Sequence, residues 1–178
     1  MAQSKSTSSG ETKTKTIAIP YSPRPLQREV HNSLKRFNVL VCHRRFGKSV
    51  LAINQLIKTA VSKPMSKCAF VAPTYRQGKS IAWEYLKQYT KPLMYLGGSK
   101  NETELKIELF NGSAIQIFGA DHPDSLRGMG FHGVVLDEYA LMAPRVWTEI
   151  IRPAISDHFY LSVHQWGIIN FGKFMIIL

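Results

Sequence analysis

The chain has 178 residues, enough for one domain with a sizeable buried core and too few for two large ones. Its 23 Lys and Arg against 12 Asp and Glu give a formal charge of +11, which suits a polyanionic partner such as DNA, RNA or an acidic protein. No N-terminal apolar segment reads as a signal peptide, the apolar stretch 167–178 is too short for a membrane span and carries Lys173, and Cys42 and Cys68 lack metal-ligand spacing and read as reduced, buried thiols.

In chain order, residues 1–16 are Ser, Thr and Lys with almost nothing apolar, a composition that predicts a disordered polar tail. Order is expected from Ile17. Pro20, Pro23 and Pro25 mark an extended entry. Residues 25–36 predict a short helix with Leu26, Val30 and Leu34 on one face. The apolar run 38–42 reads as a buried strand, 43–49 as a loop and 49–61 as a helix that packs through Leu51, Ile53, Leu56 and Ile57. A second strand is predicted at 67–72. The spacing predicts a helix over 77–89 with Ile81, Tyr85 and Leu86 facing inward and Trp83 beside them. A hairpin follows: 105–110, then Asn111-Gly112 as a type I′ turn, then 113–118. A polar, Gly-bearing loop at 121–130 leads to a third core strand at 133–136, and 145–151 forms one or two helical turns. Strands alternating with helices predict an α/β domain with a largely parallel sheet.

Two motifs carry chemistry. Cys42-His43-Arg44-Arg45-Phe46-Gly47-Lys48-Ser49 lies between a predicted strand and a predicted helix, the context in which a phosphate loop works. Gly47 lets the backbone approach a phosphate, Lys48 places a charge on the β and γ phosphates of ATP, and the Ser49 hydroxyl can hold Mg²⁺. The helix N-terminus adds free N–H groups. The usual first glycine of such a loop is replaced by Cys42. Val134-Val135-Leu136-Asp137-Glu138 sets two carboxylates at the end of an apolar strand, which in a parallel sheet lies beside that loop. There Asp137 can support the Mg²⁺ shell and Glu138 can orient and deprotonate the attacking water. An ordinary solvated strand end is the alternative.

Arg44 or Arg45, inside the loop, could reach a γ-phosphate as charge spreads over its oxygens; either could instead contact carbonyls or DNA. Arg127, in the loop before the acidic strand, could act within the chain or on a neighbouring subunit, or be a plain surface arginine. Gln27, after the Pro-rich entry, has the one donor and one acceptor needed to read an adenine edge. The six His show no metal-ligand spacing, so no metal beyond Mg²⁺ is assigned.

Over about residues 21–157 the chain resembles the large terminase subunit of tailed bacteriophages, the motor that packages DNA into procapsids. Four segments carry the resemblance: Arg44-Arg45-Phe46-Gly47-Lys48-Ser49; Ala72-Pro73-Thr74-Tyr75-Arg76-Gln77 with Ile81-Ala82-Trp83; Ser125-Leu126-Arg127-Gly128; and Val134-Val135-Leu136-Asp137-Glu138-Tyr139-Ala140. Trp147 and Ile151-Arg152-Pro153-Ala154 extend it. The resemblance implies a RecA-like P-loop NTPase fold, with helices on both faces of the sheet, over residues 17–157. It makes Arg44 the candidate charge-stabilising finger, sets Arg127 in a segment that reaches a neighbour's nucleotide, and puts Gln27 in the adenine-recognition region. It also implies double-stranded DNA, a portal protein and a small terminase subunit as partners, a homo-oligomeric ring, and the host cell cytoplasm as the place of action.

Beyond Asp157 the resemblance stops. The family's Ser/Thr-x-Pro coupling motif and nuclease carboxylates are not found, so 158–178 is expected to be an atypical tail and nuclease activity is not expected of this chain. The leading expectation is an ATPase that drives DNA into a capsid. A non-catalytic nucleotide- or DNA-binding fragment and a helicase-like DNA-dependent ATPase are the alternatives.

Overall fold

The computed structural model describes residues 17–155 and 159–165. The expected tail at 1–16 and the residues at 156–158 and 166–178 lie outside them.

Helix α1 (Pro25–Ser33) starts on a proline, whose missing N–H costs nothing at a helix N-terminus, and buries Gln27 and Val30. It stops short of the expected Arg36 because Leu34 turns extended. Strand β1 (Phe37–Cys42) feeds a loop and then α2 (Lys48–Ser62), a helix buried along most of its length by Leu51, Ile53, Leu56, Ile57 and Ala60. Strand β2 (Lys67–Ala72) leads into a helical segment that runs as α3 (Tyr75–Gly78), a π-helical turn (Lys79–Trp83) and α4 (Glu84–Met94). Strands β3 (Ser99–Asn101), β4 (Lys106–Glu108) and β5 (Ala114–Gly119) form an antiparallel meander. Strand β6 (Gly133–Asp137) is buried throughout, and a second π-helical turn (Val146–Ile151) runs into the short α5 (Arg152–Ala154). Strand β7 (Phe159–Gln165) completes the sheet.

The seven strands run in the order β1-β7-β6-β2-β5-β4-β3. The first five pair in parallel and only the outer hairpin is antiparallel. Continuous apolar runs in β2 and β6 follow from this, since each is covered on both faces. On one face Leu51, Leu56, Phe70, Trp83 and Ile117 pack together. On the other, Val71, Leu136, Val146, Ile151 and Tyr160 do. The sheet is therefore a mixed, mostly parallel α/β sheet with helices, as the strand–helix alternation predicts. Cys42 and Cys68 are free and buried. Among the described residues no helix is long and apolar enough to cross a membrane.

Two local expectations are corrected. Ile81 and Tyr85 are about 40% exposed, while Ala82, Trp83, Leu86 and Leu93 face the core. The π turn at Lys79–Trp83 inserts a residue and rotates the inward face off the regular helical period. The hairpin turn is not type I′: Gly112 has φ +77° but Asn111 does not enter the left-handed region. Gly112 N–H bonds Leu109 C=O (2.9 Å) and Leu109 N–H bonds Ser113 C=O (2.7 Å), a three-residue loop with a glycine bulge. Asn111 is held in this form because its Nδ2 donates to the carbonyls of Ala60 (2.8 Å) and Val61 (3.2 Å) at the end of α2. Residues 159–165, within the segment 158–178, form strand β7, parallel to both β1 and β6.

Candidate nucleotide site

Parallel pairing brings the C-terminal ends of β1 and β6 to the same edge of the sheet, with β7 between them. The loop after β1 turns sharply: Arg45 has φ +65° and Gly47 φ +86°. Gly47 is the residue before α2, so the free N–H groups of that helix open directly onto the loop. Glu138, first after β6, also adopts the left-handed region at φ 52°, ψ 48°. A non-glycine residue there costs on the order of 1 kcal/mol. It is pinned by its N–H on Val163 C=O of β7 (2.8 Å).

The site residues of the two motifs meet. Lys48 Nζ lies 3.1 Å from Glu138 Oε1, with the lysine side chain 11% exposed and the glutamate 29%. Asp137 is buried, and its carboxyl is pushed up to about 6, first by burial and next by the neighbouring Glu138 charge. Lys48 and a hydrogen bond with Ser49 oppose that shift. Burial likewise pushes the Cys42 thiol up to about 12, with Lys48 and Glu138 both close enough to act on it. Ser49 and Asp137 together offer a hydroxyl and a carboxylate, two hard oxygen donors. That set suits Mg²⁺, which takes one or two protein oxygens and fills its octahedron with water and phosphate.

Gln27 sits against the loop with its amide committed. Its Nε2 donates to the carbonyls of Phe46 (3.1 Å) and Gly47 (3.3 Å), and its Oε1 accepts from Arg24 N–H (3.0 Å). Arg24, which motif reading passes over, donates from Nη2 to the carbonyls of Arg45 (3.1 Å) and Phe46. The only signal for it in sequence is its place three residues ahead of Gln27 at the start of α1. Arg44 and Arg45 are exposed on the loop. Arg127 stands apart from this cluster, its guanidinium on Asp124 (2.7 Å) and Glu149 (3.7 Å).

No family model matches the chain. The large terminase subunit of Thermus phage G20c is 26% identical over 155 residues, which cover 78% of this chain and 32% of that protein. The chain thus spans about a third of the length of this curated relative. The ATPase domain of the Thermus phage P74-26 large terminase superposes with a TM-score of 0.72 at 25% identity, over 85% of this chain and 68% of that one. A large terminase from another thermophilic bacteriophage, solved in complex with ATP-gamma-S, shares the fold at TM-score 0.58 and 14% identity, over 74% of this chain and 32% of that one. Over most of its described length the chain is similar in sequence to the phage large terminase subunit and in fold to its ATPase domain.

Proposed function

We propose that this chain binds and hydrolyses ATP with Mg²⁺ as the motor domain of a DNA-packaging terminase. The observation that carries the proposal is the meeting of Lys48, Ser49, Asp137 and Glu138 at the ends of β1 and β6. Lys48 holds the β and γ phosphates. Ser49 and Asp137 hold Mg²⁺, which supplies charge neutralisation to the phosphates. Glu138 leaves its ion pair with Lys48 when phosphate takes that place, and its freed carboxylate orients and deprotonates the attacking water. Gly47 and Arg45 shape the backbone cradle, and Gln27 belongs to the nucleotide site through the loop it grips. Arg44 is the candidate finger on the γ-phosphate. Arg127 is assigned to a neighbouring subunit's nucleotide, since its contacts lie away from Lys48 and Glu138.

The partners follow from the kinship: double-stranded DNA held through its phosphates by a basic surface, a portal protein, a small terminase subunit and a homo-oligomeric ring, all in the host cytoplasm. The net charge of +11 supports a sequence-indifferent, salt-sensitive grip on DNA.

The test is Mg²⁺-dependent ATP hydrolysis by the chain beside Lys48→Ala and Glu138→Gln. Lys48→Ala should lose ATP binding. Glu138→Gln should keep it while turnover falls by roughly 10²–10⁴-fold, the usual worth of a general base. ATP binding without turnover in the parent would make the chain a nucleotide-binding fragment and not a motor.

A further inference from the structure

We propose that Arg24 is a positioning residue of the phosphate loop, and that with Gln27 it clamps the loop's carbonyl groups away from the incoming phosphate. The proposal rests on reading residues 43–49 as a phosphate site. In a trans peptide the C=O and the following N–H point in opposite directions. A loop that receives an anion must turn its N–H groups inward, so its carbonyls must be held outward by donors. Here three successive carbonyls are so held. Arg24 takes those of Arg45 and Phe46, and Gln27 takes those of Phe46 and Gly47, the last of which also accepts from Leu51 N–H at the start of α2 (3.0 Å). The peptide N–H groups of Gly47 and Lys48 are thereby directed to the opposite side, while that of Phe46 donates to the His43 carbonyl within the loop (3.4 Å).

Two more observations agree. Arg45, a non-glycine residue, is left-handed at φ +65°, a conformation that needs outside restraint to persist. A Cβ on Gly47 would stand 2.7 Å from both Arg24 Nη2 and Gln27 Nε2, so the clamp lies directly on that glycine. Arg24 itself is exposed and its guanidinium bonds go to loop carbonyls, so it serves the loop rather than the core. Gln27 spends its amide nitrogen on loop carbonyls, and its oxygen accepts one bond from the Arg24 N–H. Through these bonds the pair acts on the loop, and its effect is expected on phosphate affinity.

The experiment is calorimetric titration of the full-length chain, with Mg²⁺, using ATP, GTP and inorganic pyrophosphate as separate probes. The variants are Arg24→Ala, Arg24→Lys and Gln27→Ala, each with its melting temperature. Arg24→Ala and Gln27→Ala should weaken all three probes by a similar factor of about ten or more, as for lost hydrogen bonds to a charged site. Arg24→Lys should recover little, because a point charge does not reproduce the two-pronged guanidinium. Melting temperatures should stay within about 2 °C of the parent. Unchanged affinities, a loss confined to ATP, full recovery by lysine, or a collapse in melting temperature would each overturn the clamp. If the parent itself binds no probe, the phosphate-site reading fails and the clamp with it; if the parent binds and the variants bind equally well, the clamp alone fails.

Discussion

His31 shows how one side chain ties helix α2 to the entry segment. Its Nδ1 lies 2.8 Å from Gln55 Oε1 on α2, and its Nε2 lies 3.0 Å from the Tyr21 hydroxyl. An amide oxygen only accepts, so Nδ1 carries the proton and neutral Nε2 accepts from Tyr21. Burial lowers the ring's pKa below 6.5, with the Gln55 bond opposing and Lys58 assisting. A depressed folded value means the unfolded chain binds the proton more readily. The stability owed to neutral His31 is complete above pH 6.5 and is lost as pH falls through the lower folded value. Thermal melts from about pH 7.5 down to about pH 5.5 should therefore fall more steeply for the parent than for His31→Gln. Parallel profiles for the two chains would contradict this account.

At the scale of elements, the π turn decides which residues stabilise the helix after β2. Leu86 is 2% exposed and Ile81 is 40% exposed, although regular periodicity puts both inward. Leu86→Ala should cost about 2–5 kcal/mol in urea unfolding, the range for a buried leucine. Ile81→Ala should cost under about 1 kcal/mol, as expected of a surface position. Equal losses at the two sites would mean that the inward face keeps the regular helical phase. The π turn also lets Trp83 reach Glu102, to which its Nε1 donates at 2.6 Å, fastening this helix to the hairpin.

For the molecule as a whole, β7 is the element on which the site depends. It separates β1 from β6, and its Val163 carbonyl holds Glu138 in its left-handed turn. Its Tyr160 carbonyl accepts from the buried Asn38 side chain at 2.8 Å. Without it, Phe37–Cys42 and Gly133–Asp137 lose their shared partner, and Lys48 is no longer set against Glu138. A chain ending at Asp157 should lose cooperative unfolding and near-ultraviolet circular dichroism, and should bind no ATP. Cooperative unfolding with parental ATP affinity in that shorter chain would remove β7 from the account.

Some of this was legible from residues alone. Short-range chemistry is written in short-range order: Gly47-Lys48-Ser49 between a strand and a helix, Asp137-Glu138 at the end of an apolar run, and the continuous apolarity of β2 and β6. Each depends on neighbours in sequence, so spacing reveals it. The tertiary structure alone decided what depends on distant partners. The phase of the helix after β2 is set by packing against the sheet. The shape of the turn at Gly112 is set by Asn111 reaching the carbonyls of α2. The place of β7 is set by two strands more than twenty residues away in either case. The partners of Arg24 lie 21 and 22 residues along the chain, and no local pattern records them. The residues proposed for chemistry are local sequence motifs, while the contacts that hold them in position became visible only once the chain was folded.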